Sequence, residues 1–171
     1  MRFNLALRLA GTMLVMGALA ACTVTFEPVV DVRAVEAPVP AALIEVFHPD
    51  RGPGATYRIG DPIAFRLRTN LDGYVTLSAL DPDGSVYVFA RNVRVRAGRT
   101  QVVSGLGPRL QFVVDPPAGR HFVRASFTPD RTAERVTYRV IGYDSWLRQI
   151  SLELRSFDEF DQRETTFTAR R

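Results

Sequence analysis

From Leu43 onward apolar residues recur at every second position. A chain patterned in this way can bury its apolar side chains only as strands, because successive residues of a strand point to opposite faces. Ile63, Phe65 and Leu67 alternate with Ala64, Arg66 and Arg68. Beyond the turn residues Asn70-Leu71-Asp72-Gly73, Val75, Leu77 and Ala79 take one side of a second strand. Asp81-Pro82-Asp83-Gly84 is a tight-turn sequence leading into a returning strand with Val86, Val88 and Ala90, which makes a hairpin. Short strands are expected at Val93-Arg94-Val95-Arg96 and from Leu110 to Val114, then from His121 to Thr128 and Arg135 to Ile141. The turn signals fall at the spacing of an all-β fold, mainly an antiparallel β-sandwich of immunoglobulin-like size. Only the tail departs from this rhythm. Leu147, Ile150, Leu154 and Phe157 lie at helical spacing behind Asp144, read as an N-cap, while Ile150, Leu152 and Leu154 also fit a strand. One C-terminal helix is favoured, followed by a short strand near Thr165 to Thr168.

The first residues have another character. Arg2 and Arg8 precede an apolar run from Leu9 to Ala21, the layout of an export signal and too short to span a bilayer comfortably, which takes roughly 20 apolar residues. The run ends in Leu19-Ala20-Ala21-Cys22. This resembles the lipobox of bacterial lipoproteins at every position. The resemblance implies cleavage between Ala21 and Cys22, a diacylglycerol on the Cys22 thiol and an acyl chain on its amine. Thr23 in place of Asp implies passage to an outer membrane where there is one, and otherwise anchorage in the cell membrane. Cys22 is the single cysteine, so no internal disulfide can form, and a thiol at the cleavage point needs another explanation. Two or three acyl chains supply one, since one chain alone anchors only marginally. The expected organisation is a signal peptide over 1–21, a lipidated Cys22 with a Pro/Ala/Val-rich tether over 22–42, and one β-domain over 43–171. The tether holds Pro28, Pro38 and Pro40 and no glycine, a composition biased towards extended spacers. Its Val24/Phe26 and Val30/Val32 alternations leave open a pairing strand.

The chemistry that such a domain could carry is narrow. The histidines are His48 and His121, the second within a strand pattern, and there is no G-x-S-x-G elbow. Neither a catalytic residue nor a metal site is expected, because zinc takes three or four Cys, His or carboxylate ligands. Asp81-Pro82-Asp83-Gly84 departs from a calcium loop at Pro82 and at Asn92, where the loop needs its last glutamate, and it reads as a turn. Asp158-Glu159-Phe160-Asp161 reads as a solvated loop. Every basic residue is an arginine, and a formal charge of +4 falls by two once Arg2 and Arg8 leave with the signal. Arg66 and Arg68 share one strand face and Arg94 and Arg96 another, with Arg91 and Arg99 nearby. If those strands are neighbours, the arginines line a sheet face that could hold phosphate or carboxylate groups of an anionic wall polymer or a lipid headgroup; otherwise they form a solvated outer face. Nucleic acid is a poor partner for an exported chain without stacking aromatics among its arginines.

The order Tyr57-Arg58-Ile59-Gly60-Asp61-Pro62-Ile63, Asp72-Gly73-Tyr74-Val75, Asp81-Pro82-Asp83-Gly84, Val95-Arg96-Ala97-Gly98 and Pro116-Pro117-Ala118-Gly119 resembles an uncharacterised bacterial domain-of-unknown-function family found in exported and multidomain proteins. The resemblance spans about residues 43 to 128, leaving 129–171 as a C-terminal extension. It implies a small β-sandwich used as an accessory or binding module, and it transfers no catalytic residue. Family members carry a Phe-Pro-Asn stretch where this chain has Phe89-Ala90-Arg91-Asn92. The expectation is a membrane-anchored, non-catalytic binding or structural module of the cell envelope, with no cofactor besides the lipid on Cys22. An accessory lipoprotein that inhibits or chaperones another envelope protein is the alternative, and a hydrolase comes third. Binding calls for a groove of arginines and aromatics, whereas an enzyme needs a nucleophile and a base converging in one pocket.

Overall fold

The computed structural model describes residues 42–107, 110–133 and 138–171. The export signal, the expected cleavage point at Ala21 and Cys22, nearly all of the tether and half of the strand expected from Arg135 to Ile141 lie outside these residues. In chain order the elements are β1 (Ile44–Pro49), β2 (Thr56–Arg58), β3 (Phe65–Thr69), β4 (Gly73–Leu80), β5 (Val86–Val95), β6 (Gln101–Val103), β7 (Gly105–Gly107), β8 (Leu110–Gln111), β9 (Gly119–Thr128), α1 (Tyr143–Leu154) and β10 (Asp161–Arg170). Strands dominate, as the alternation demands, and they form an all-β sandwich. One sheet has the order β1-β3-β6 and the other β2-β10-β9-β4-β5, while β7 and β8 make a two-stranded ribbon. Neighbours run antiparallel except β10 and β2, which are parallel.

Two cores result. The first gathers Ile44, Phe47, Phe65 and Leu67 from the smaller sheet with Val75, Leu77, Val123, Ala125 and Phe127 from the larger. The second lies on the opposite face of the larger sheet, where Leu80 and Val86 meet Trp146, Ile150, Leu154 and Tyr138. The larger sheet is thus covered on both faces, and β4 in its interior is buried along almost its whole length. Thr76 and Ser78 are buried with it, and the Trp146 Nε1–H donates to Ser78 Oγ at 3.0 Å, which satisfies both polar groups away from water. About 25 cal/mol per Å² of apolar surface removed from water makes these two cores the main source of stability.

The tail is a helix. Trp146, Ile150 and Leu154 form its buried stripe, at the spacing that brings side chains onto one helical face. Leu152 is half exposed, which a strand burying Ile150 and Leu154 on the same face would not allow. Asp144 is not the cap. Gly142 holds that position at φ 87° without a side-chain bond, because its N–H is tied to the Gly84 carbonyl at 2.8 Å. Asp144 sits instead in the first turn, where a carboxylate complements the helix dipole.

Four strand expectations change, the strand expected from Leu110 to Val114 shrinking to β8 with an isolated bridge between Val113 and Pro62 beyond it. Val93 to Val95 is no separate strand but the end of β5. The registers Ser78↔Val88, Leu77↔Ala90 and Val75↔Val93 give β5 more residues than β4 in two places, the mark of β-bulges. Because each extra residue reverses the face of those that follow, Val86 and Val88 face the helix side while Ala90 joins the core between the sheets. Asn92 absorbs part of the second irregularity at φ 54°. The strand near Thr165 to Thr168 grows to ten residues because β10 pairs along nearly all of β9. In the described part of 135–141, pairing is limited to a bridge between Ile141 and Ser85.

Candidate functional site

The bulge at Phe89 does more than bend β5. Phe89 alternates with Val88 and so lies between the sheets, 5.7 Å from Phe65 and 5.0 Å from Phe112, the latter pair at 90°, while the bulge brings Ala90 to the same side. Tyr87, on the same strand, lies 6.3 Å from Phe89 with its plane tilted by 58°. These rings wall a cleft of about 230 Å³, floored by Ala79, Val123 and Phe167 and bounded by Ile63, Gln111, Val113 and Asp115. The segment after β8 is fixed by backbone bonds. Phe112 N–H donates to Ser104 O at 2.7 Å, Ile63 N–H to Phe112 O at 3.0 Å and Val114 N–H to Asp61 O at 2.9 Å. Buried Val114 pins it from beneath, leaving Val113 half exposed and Asp115 exposed beside the opening.

Carboxylates cluster on the Tyr87 side. The Tyr87 hydroxyl donates to Asp81 Oδ1 at 3.3 Å, and its acidity falls far below that of an ordinary tyrosine, through partial burial first and then the negative charges of Asp81, Asp115 and Asp83. Asp81 Oδ1 also lies 2.8 Å from His121 Nδ1, and His121 Nε2 lies 3.0 Å from the Pro117 carbonyl. Both ring nitrogens are thus held by partners inside the protein. The ring is buried and stacked on Phe167, with centroids 4.7 Å apart and planes 5° from parallel. His121 thus ties the turn before β5 to the loop before β9. Its nitrogens are engaged with these two partners, the contacts of a positioning group and not of a base directed at the cleft. The turn itself closes through the Gly84 N–H to Asp81 O bond at 2.9 Å, with Gly84 at φ 87°.

The arginines are placed differently from the groove of arginines and aromatics that a ligand face called for. Arg66 and Arg68 stand on the solvent side of β3, Arg68 paired with exposed Glu45 at 2.7 Å. Arg94 belongs to β5 in the other sheet, and exposed Arg96 and Arg99 follow it. The strands are therefore not hydrogen-bonded neighbours, and the condition for one continuous arginine face is not met. Arg91 is largely buried and paired with Glu153 of α1, which also accepts from the Tyr138 hydroxyl. None of these six lines the cleft. The acidic stretch divides: Asp158 and Glu159 are exposed, while Asp161 opens β10 and accepts the Ile44 N–H at 2.8 Å. His48, on β1, lies in the other sheet from His121. Among the described residues no three His, Cys, Asp or Glu side chains converge in a metal-binding arrangement, and no helix is long and apolar enough to cross a membrane.

Tyr87, Phe89, Phe112 and Asp115 were not legible as a site in the sequence. The aromatics at alternate positions 87 and 89 were a signal of sorts, but the packing of Phe112 and Asp115 against them comes from the path of the segment after β8. No curated protein and no solved structure matches the chain. Residues 56–131, which supply every cleft residue named above except Phe167, carry a match to the family described as Domain of unknown function (DUF4384).

Proposed function

We propose that this chain is a lipid-anchored lipoprotein of the cell envelope whose β-domain is a non-catalytic binding module, with the cleft between β3, β5 and the segment after β8 as its ligand site. The observation that carries the reading is the aromatic cleft itself: Tyr87, Phe89 and Phe112 beside the carboxylate of Asp115, with buried Phe65 and Phe167 behind them. Concave sites that are mostly apolar and hold a few polar groups are the usual form of a ligand site. A volume of about 230 Å³ lies under the roughly 300–1,000 Å³ of pockets for drug-sized molecules, which suits a ligand or side chain of a few heavy atoms. The anchor rests on Leu19-Ala20-Ala21-Cys22, and the tether would hold the module away from the lipid surface.

The test is retention of envelope components. Immobilised full-length protein is incubated with detergent-solubilised envelopes beside a Tyr87→Ala/Phe112→Ala double variant. The reading expects a component held by the wild type and released by the variant, with circular dichroism showing that the variant is folded. Equal retention by both proteins overturns the cleft as the binding site.

A further inference from the structure

Resting on that reading, we infer that the cleft takes a small organic cation of the alkylammonium class, its apolar body between the rings and its charge towards Asp115. The first ground is the angle between the walls. Phe89 stands at 90° to Phe112 and Tyr87 at 58° to Phe89, so the rings turn differently oriented surfaces to the cleft and do not form a flat slot. A compact, nearly spherical ammonium meets several ring faces in such a box, each carrying the negative face of an aromatic quadrupole. A planar guanidinium is better served by stacking on one face.

The second ground is charge. Asp115 borders the cleft directly, Asp81 lies within 3.3 Å of the Tyr87 hydroxyl, and Asp83 adds to the negative field at that ring. His121 is buried and engaged with Asp81 and does not line the cleft. The third ground is what the chain does with its own cations. Its guanidinium groups lie over the rings of Tyr57, Tyr74, Tyr138, Tyr143 and Trp146. Among the described residues no such contact engages Tyr87, Phe89 or Phe112.

Choline and its neutral isostere 3,3-dimethylbutan-1-ol have the same shape and differ in charge, and 3,3-dimethylbutyrate carries the opposite charge. Each is titrated into the full-length protein in maltoside micelles, with affinity read from saturation-transfer NMR. Choline is expected to bind about tenfold more tightly than the alcohol, the ratio that a cation–π gain of middling size gives, and the butyrate not at all. Asp115→Asn, at an exposed position, should weaken choline several-fold and leave the alcohol unchanged. Phe112→Leu should weaken both, choline more. An alcohol that binds as well as choline, or an Asp115→Asn variant with unaltered choline affinity, overturns the cation and leaves an apolar site. If neither compound binds while envelope capture still depends on Tyr87 and Phe112, the cation inference fails and the binding-module reading stands.

Discussion

Gly84 shows how one residue secures the opening of the cleft. Its φ of 87° lies in the left-handed region that glycine adopts freely and a residue with a Cβ does not, and an added Cβ would come within 3.2 Å of Ile141 Cγ2. Gly84→Val should therefore destabilise the domain by about 1–3 kcal/mol, read as a lowered urea midpoint. The turn was legible in Asp81-Pro82-Asp83-Gly84, because local chemistry alone dictates it. The His121 contact was not, since a bond between residues 40 positions apart is a product of the sheet. Tyr57 offers a second test at this scale. Its hydroxyl donates to Asp50 Oδ1 at 2.7 Å, and burial, reinforced by that bond, pushes the phenol up to about 12. Desolvation raises the Asp50 carboxyl, yet the bonds from Tyr57 and the Ala64 N–H outweigh it and hold the group below the ordinary range. The signs are opposite. The Tyr57 contribution is complete below about pH 10 and disappears as pH rises through about 12, whereas the Asp50 contribution is complete above about pH 4 and disappears as pH falls through its folded value. Urea midpoints across the pH range should show a plateau between these limits. Tyr57→Phe should lower the plateau and make both flanks shallower, and unchanged flanks would show that this bond does not couple to folding.

Among the elements, the helix was readable and β5 was not. Trp146, Ile150 and Leu154 carry a helical period in the sequence itself, while the face of each β5 residue depends on which β4 residue it opposes. Two bulges shift that opposition, so a strict alternation puts Ala90 on the wrong face. The same strand separates the arginines into two kinds. Arg91 reaches Glu153 on α1 with both side chains largely buried, whereas Arg94 and Arg96 are exposed. Removing one partner of a buried pair leaves a charge without compensation and costs about 3–5 kcal/mol. Surface changes usually stay within about 0.5 kcal/mol each. Arg91→Ala should then lower stability by about 3 kcal/mol and loosen the helix, which the fluorescence of the single tryptophan, Trp146, reports by shifting to the red. The paired Arg94→Gln and Arg96→Gln changes should cost well under about 1 kcal/mol. A more damaging Arg94/Arg96 pair would mean that these side chains bear a structural load on β5 that their exposure does not suggest.

At the scale of the whole molecule, the β-sandwich was legible because alternation and turns specify strands, and because two apolar faces must be covered. The cleft depends on the fine register of one strand and on the path of the segment after β8, neither of which a single sequence encodes locally. The proposed anchor is the reverse case: it is read from a short run of residues, Leu19-Ala20-Ala21-Cys22, and owes nothing to the fold. On the proposed reading it would also decide where the binding module works. Radiolabelled palmitate fed to cells expressing the wild type and Cys22→Ser gives the most direct test. Cys22 is the only thiol in the chain, and no other side chain can form the thioether to diacylglycerol. The wild type should carry label and partition with membranes, while Cys22→Ser should carry none and keep its signal peptide. Undiminished label on Cys22→Ser would contradict the lipoprotein assignment.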